Sequence, residues 1–149
     1  MKIEAILKAK GSRVATVRPD MTVATACHRL KMEKVGALVV SNDGRTMLGM
    51  ITERDIMQCL AAQGPALLEE RVEEVMSVGM PCCSREDTVN KVMAQMTRER
   101  TRYLPVVERG LLCGIISIGD VVRARVSEVE LETRVLRDAY SAVHSTGMP

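Results

Sequence analysis

The chain has 149 residues, with 21 basic against 19 acidic side chains and a net charge of +2, a balance that argues against nucleic acid or an anionic membrane as partner. Hydrophobic residues make up 46% of it, but there is no Phe or Trp, and Tyr103 and Tyr140 are the only aromatics, so base-stacking platforms are lacking and the core has to be aliphatic, with eleven Met as gap-fillers. No apolar run has membrane-span length, the first ten residues carry no signal-peptide core, and five cysteines without a CxxC pair suggest neither a disulfide framework nor a zinc site. These features together predict a soluble protein of a reducing, cytoplasmic compartment.

In chain order, the first candidate strand covers Val14 to Arg18. Thr22 then caps a helix whose apolar residues Val23, Ala26, Cys27 and Leu30 fall at i, i+3, i+4 and i+7. A β-branched run follows, Ala37 to Val40, then a turn at Asn42-Asp43-Gly44 and a second strand from Gly49. That strand runs through Ile51 and Thr52 straight into a helix with Asp55 in its first turn. A helical link, roughly Pro65 to Met76, comes next, with Pro65 at its opening.

The whole pattern then repeats. Met80 to Ser84 is the lead strand, and Thr88, 66 residues after Thr22, caps a helix with Val89, Val92, Met93 and Met96 on one face. Leu104 to Val107 and the turn ending in Gly110 match Ala37 to Val40 and Gly44. Gly114 matches Gly49, and Ser117 and Asp120 take the places of Thr52 and Asp55. Each copy reads β-α-β-β-α.

The runs Gly49-Met50-Ile51-Thr52-Glu53-Arg54-Asp55 and Gly114-Ile115-Ile116-Ser117-Ile118-Gly119-Asp120, with Leu104-Pro105-Val106-Val107, resemble the CBS (cystathionine β-synthase) domain in tandem. The chain is similar to small bacterial proteins made of little but a CBS pair. The resemblance implies an α/β (α+β) fold: two βαββα units packed through their sheets with pseudo-two-fold symmetry, and a long C-terminal helix. The expected divisions are 1–13 as N-terminal helix and lead-in, 14–63 as first motif, 64–78 as linker, 79–123 as second motif and 124–149 as C-terminal helix and tail.

The resemblance also implies a regulatory module that binds an adenosine-containing nucleotide, AMP, ADP, ATP or NAD(H), with S-adenosylmethionine as the alternative ligand. No cofactor is required. Asp55 and Asp120 are the candidates for the ribose hydroxyls, since a carboxylate accepts two hydrogen bonds from vicinal hydroxyls. Thr52 and Ser117, near helix N-termini, suit a phosphate. Gly119, Arg54, Arg102 and Tyr103 complete that group. Thr16, Val17, Met80, Pro81, Cys82 and Pro105 are the expected walls for the base. The same Thr/Ser-x-x-Asp pattern also reads as a helix capping box with no ligand at all, which leaves a ligand-free structural or protein-interaction dimer as the alternative function.

Gly36 stands in the first copy where Arg102 stands in the second. The second site is therefore expected to bind phosphorylated ligands more tightly, unless Arg102 reaches across the cleft to the first. Val122, Val126, Val129, Leu136, Tyr140 and Val143 follow alternating steps of four and three, with Thr133 filling the gap. This seam predicts a helix of about seven turns that either pairs with a second copy or packs back on its own chain; the residues from His144 on are expected to fray. His28 and His144 have no base or second ligand at a meaningful spacing, and no nucleophile–base pair stands out, so the chain reads as a non-enzyme. The expected partners are the nucleotide, a second copy, and an unidentified regulated protein.

Overall fold

The computed structural model describes residues 1–146. The elements are α1 (Ile3–Lys10), β1 (Thr16–Val17), α2 (Val23–Glu33), β2 (Ala37–Val40), β3 (Gly49–Thr52), α3 (Glu53–Gln63), a 3-10 helix (Gly64–Glu69), α4 (Val72–Val75), α5 (Val89–Glu99), β4 (Tyr103–Glu108), β5 (Leu111–Ser117) and α6 (Ile118–Thr146). Two units of mixed α and β structure result, as the tandem repeat implies. In the first, β2 pairs parallel with β1 and antiparallel with β3. In the second, β4 and β5 pair antiparallel, with an irregularity between Val106 and Val107.

The helix starts follow the hydroxyl caps. Thr22 accepts from Thr25 N–H and Thr88 from Lys91 N–H, at 3.2 and 3.1 Å. Both capped helices end alike, on a non-glycine residue in the left-handed region: Lys34 (φ 55°) and Arg100 (φ 53°). In each turn between strands, Gly44 and Gly110 take the same φ of 77°.

Alternation along the strands sends their side chains to two different places. Leu38, Val40 and Ile51 enter the first unit's own core, with Val17, Val23 and Ala26. Ala37, Val39 and Met50 point the other way and meet Leu112, Ile115 and Tyr103 of the second unit. This aliphatic layer joins the two sheets and is buried on both sides, which is why β2 reads as an unbroken apolar run rather than an alternating one.

The two short lead-in segments are exchanged. Lys2 bridges Thr88, and Ile3, Ile6 and Leu7 lie in the second unit's core. Arg71 bridges Thr22, and Leu67 and Val72 lie in the first unit's core. Each repeat is thus completed by the segment that precedes the other. The link between them is correspondingly not one helix. It breaks at Glu70-Arg71, where the backbone leaves the helical path to exchange hydrogen bonds with Met21 and Val23.

Two expectations are corrected. Only Thr16 and Val17 of the stretch Val14 to Arg18 pair as a strand, and Met80 to Ser84 forms a single parallel bridge, Cys83 with Val106. Pro81 has no N–H to give a ladder, which limits the pairing there. At the C-terminus, α6 runs through His144 and Ser145 to Thr146 rather than fraying at His144; the remainder of the expected tail, 147–149, lies outside the described residues. The helix does not pack back on its own chain either, since every side chain from Val129 to Ser145 is exposed.

The repeated glycines have a steric reason. A Cβ at Gly49 would lie 2.6 Å from the Ser77 carbonyl oxygen, and one at Gly114 would lie 2.7 Å from Leu7 Cδ2. Each glycine is where an exchanged lead-in crosses the other unit's sheet. Gly49→Ala should destabilise the fold by about 1–3 kcal/mol, and Gly114→Ala by less, because a Leu side-chain end can turn aside and a backbone carbonyl cannot. Urea unfolding of both variants checks the order.

Candidate functional site

Between the two units lies a cleft of about 780 Å³, within the size range of small-molecule sites. Gly36, Thr52, Glu53, Arg54 and Asp55 line it from the first unit, together with Met57 and Gln58. Ser77 and Met80 of the connecting segment and Arg100, Thr101, Arg102 and Tyr103 of the second unit close the other side. Three guanidiniums face two carboxylates there, so the lining is net cationic.

Its polar end is built by the β3–α3 junction. The strand passes into the helix without a loop, so Thr52 is both the last strand residue and the cap. Asp55 N–H donates to Thr52 Oγ1 at 3.1 Å, and Thr52 N–H donates to Asp55 Oδ2 at 3.0 Å, a reciprocal capping box. Oδ1 of Asp55 has no partner among the described residues, and Asp55 is one of the residues that line the cleft.

Tyr103 crosses from the second unit over Gly36. A Cβ at position 36 would run into its hydroxyl and lie 3.2 Å from Cζ. Burial, and then the Glu53 charge, push the Tyr103 phenol above its ordinary value despite the opposing Arg102. The glycine is therefore a seat for a tyrosine of the other repeat.

The equivalent junction in the second unit is occupied. Ser117 and Asp120 form the same capping box, with bonds of 3.1 and 2.9 Å. Here, however, Lys10 at the end of α1 donates to Asp120 Oδ2 at 2.6 Å and Arg123 donates to Oδ1 at 2.8 Å. Lys10 also reaches the Ile115 carbonyl at 2.9 Å. Asp120 is 8% exposed and both of its oxygens are taken. What remains beside it is a smaller groove of about 320 Å³ between α1 and α6.

The remaining expected site residues divide. Arg54, Arg102, Tyr103 and Met80 join Thr52 and Asp55 in the large cleft. Ser117 and Gly119 stay with Asp120. Val17 and Pro105 are buried; Val17 belongs to the first unit's core, and the Pro105 carbonyl accepts from Cys83 N–H. The Thr16 carbonyl accepts from Arg29, and the Cys82 carbonyl accepts from Gln95; Thr16, Pro81 and Cys82 are half-buried and do not line the cleft. Arg102 lies across the interface, beside the first repeat's Asp55 and not beside Asp120. The premise of the expected ranking, that Arg102 stands with the carboxylate of its own repeat, is therefore not met.

Sequence reading missed Glu53, Met57, Gln58, Ser77, Arg100 and Thr101. Arg100 had a signal: it is the left-handed cap that ends α5, the repeat partner of Lys34. Among the described residues, no cluster of His, Cys, Asp and Glu could hold a metal ion. No helix is long and apolar enough to cross a membrane.

The Asp120 cluster has a pH signature. Burial alone would raise its carboxyl, but the bonds from Lys10 and Ser117 and the Lys10 charge outweigh burial and hold it below the usual carboxylate range. A carboxyl lowered by folding stabilises the protein above its unfolded pKa, and that contribution is lost as pH falls through the folded value. Lys10→Met should therefore cost about 1.5–3 kcal/mol at neutral pH. The difference from wild type should shrink in acid, once Asp120 is protonated in both proteins and only the Lys10 bond to the Ile115 carbonyl is left to lose. Thermal melts at neutral and acid pH measure it.

Comparison with known proteins gives a consistent picture. The CBS domain family model matches residues 11–62 and 72–127. The CBS domain-containing protein YhcV of Bacillus subtilis is 34% identical over 137 residues, 89% of this chain and 94% of its own length. The crystal structure of the CBS-domain containing protein ATU1752 from Agrobacterium tumefaciens superposes with a TM-score of 0.81 at 41% identity, covering 84% of this chain and 99% of that one. The CBS domain pair of protein MJ0100, solved with 5'-methylthioadenosine and S-adenosyl-L-methionine, shares the fold at a TM-score of 0.75 and 20% identity, over 86% of this chain and 98% of that one.

Proposed function

This chain belongs to the CBS-domain family, and from that premise we propose that it is a regulatory module holding one adenosine-containing ligand per chain, in the cleft of its first repeat. The observation that carries this reading is the contrast between the two repeated carboxylates. Asp55 keeps one oxygen free in a cleft of about 780 Å³, whereas both oxygens of Asp120 are held by cations of the chain itself.

In this reading the free Asp55 oxygen accepts from a ribose hydroxyl, and the Thr52 hydroxyl, which already accepts from Asp55 N–H, donates its own proton toward the ligand. Arg54, Arg100 and Arg102 supply charge for phosphate oxygens, as guanidinium forks do. Met57 and Met80 offer apolar surface to the base, and Ser77 a polar contact beside it. The bound adenosyl compounds of MJ0100 belong to a protein with the same fold and support adenosine as the common element. AMP, ADP, ATP and NAD(H) are the ligands proposed, with S-adenosylmethionine as the alternative. The module acts as a homodimer that passes the ligand state to a regulated protein.

For Asp120 a second reading is favoured by its own contacts. Its capping box and ion pairs make it a structural residue that ties α1 to α6.

Calorimetry with AMP and adenosine tests the proposal. The expected result is one site per chain. Asp55→Ala should weaken both ligands by about tenfold or more, because it strands a hydrogen-bonded hydroxyl pair. Arg102→Ala should weaken AMP by a similar factor and leave adenosine unchanged. Two equal sites, or an Asp55→Ala variant that binds normally, would overturn the assignment.

A further inference from the structure

The C-terminal helix extends past the second unit's core. Val121 and Ala124 are buried in the second unit's core, but every side chain from Val129 to Ser145 is exposed. Among these are Leu136 (71% exposed) and Tyr140 (64%). A helical segment of this length whose side chains are exposed is marginal in water, since most helical stability comes from burying an apolar face. The sequence nevertheless supplies such a face.

Read as heptads, α6 places Val126, Thr133 and Tyr140 at position a, and Val122, Val129, Leu136 and Val143 at position d. Val121 and Ala124, which face the body, then fall at c and f. Those positions lie on the opposite side of the helix from the a/d seam. The seam therefore points away from the chain's own body and is open to a second helix.

The flanking charges choose the occupant and its direction. Position g carries Arg125 and Glu132, and position e carries Glu130 and Arg137. In a parallel pair, g of one helix faces the next e of its partner. Arg125 then meets Glu130 of the second copy, and Glu132 meets its Arg137, each twice by symmetry. Antiparallel pairing sets e against e and g against g. With the a and d layers aligned, Glu130 would still find Arg137, but Glu132 would face Ala139 and lose its partner.

We propose that α6 forms a parallel, in-register two-stranded coiled coil with α6 of a second copy of this chain. The polar Thr133 at an a position favours one register over its neighbours. Two nucleotide-binding bodies would then sit at the same end of one stalk.

The full-length chain and its variants test this. Light scattering should give the mass of two chains at micromolar concentration. In a parallel, in-register pair, each a or d residue faces its own copy. Leu136→Cys chains should therefore cross-link through position 136 on mild oxidation, and Val129→Cys chains through position 129. The wild type supplies the background, because its five cysteines (Cys27, Cys59, Cys82, Cys83 and Cys113) all lie outside α6.

Charge reversal gives an independent readout at exposed positions. Glu132→Arg should weaken dimerisation about tenfold by turning two attractions into repulsions, and Arg137→Glu added to it should restore the affinity. A monomer would overturn the proposal. So would a dimer in which neither cysteine variant cross-links to itself, or one in which Arg137→Glu rescues Glu130→Arg but not Glu132→Arg, the signature of the antiparallel pair.

Discussion

The aliphatic layer between the two sheets is the constraint from which the rest follows. Strands β2 and β3 give Leu38, Val40 and Ile51 to one core and Ala37, Val39 and Met50 to the shared layer. A strand buried on both faces cannot slip by one residue without exchanging its two sets of side chains. That fixed register sets the heights of the β3–α3 and β5–α6 junctions relative to each other. The two carboxylates then stand in separate places, Asp55 in the cleft between the units and Asp120 in the groove between α1 and α6. Sheet packing thus determines where a cleft can form before any ligand is considered.

The duplication builds two similar junctions, and the exchanged lead-ins make them unequal. The segment ahead of the first repeat crosses Gly114 and ends on Lys10, which reaches Asp120 at 2.6 Å. The segment ahead of the second repeat crosses Gly49 with Met76 and Ser77, and neither supplies a cation to Asp55. Two charged side chains, Lys10 at the end of a short helix and Arg123 in α6, therefore separate a closed junction from an open one. Removing Lys10 would not simply recreate the first site, because Arg123, one turn on in α6, would still hold the other oxygen.

Much of the fold was legible in the sequence because each element carried a local signal. Thr22 and Thr88 cap their helices as the hydroxyl pattern predicts, and Ala37–Val40 is a strand with those limits. The signals failed where pairing was decided at a distance. Nothing local to Arg71 or Lys2 says that it bridges the cap of the other repeat's helix. The site shows the same division. The hydroxyl and carboxyl of each junction could be named from spacing. Whether each carboxylate was free depended on Lys10, 110 residues from Asp120 in the chain. Arg102 was found by aligning the repeats, but alignment assigns a side chain to its own copy, and this one crosses to the other.

The asymmetry has an energetic side. A carboxylate that is 8% exposed has lost most of its hydration and depends on its partners for compensation. Lys10 and Arg123 provide it with charge as well as hydrogen bonds. A ribose hydroxyl arriving at Asp120 would replace an ammonium with a neutral donor and leave the displaced cation to be resolvated. Neutral donors make weaker bonds than charged ones, so the exchange runs uphill at that junction. At Asp55 no such exchange is needed, because no cation of the chain holds its second oxygen. Two copies of one motif, equal in their hydroxyl and carboxyl, thus stand differently, one with an oxygen left open beside a cleft and the other holding α1 against the root of α6.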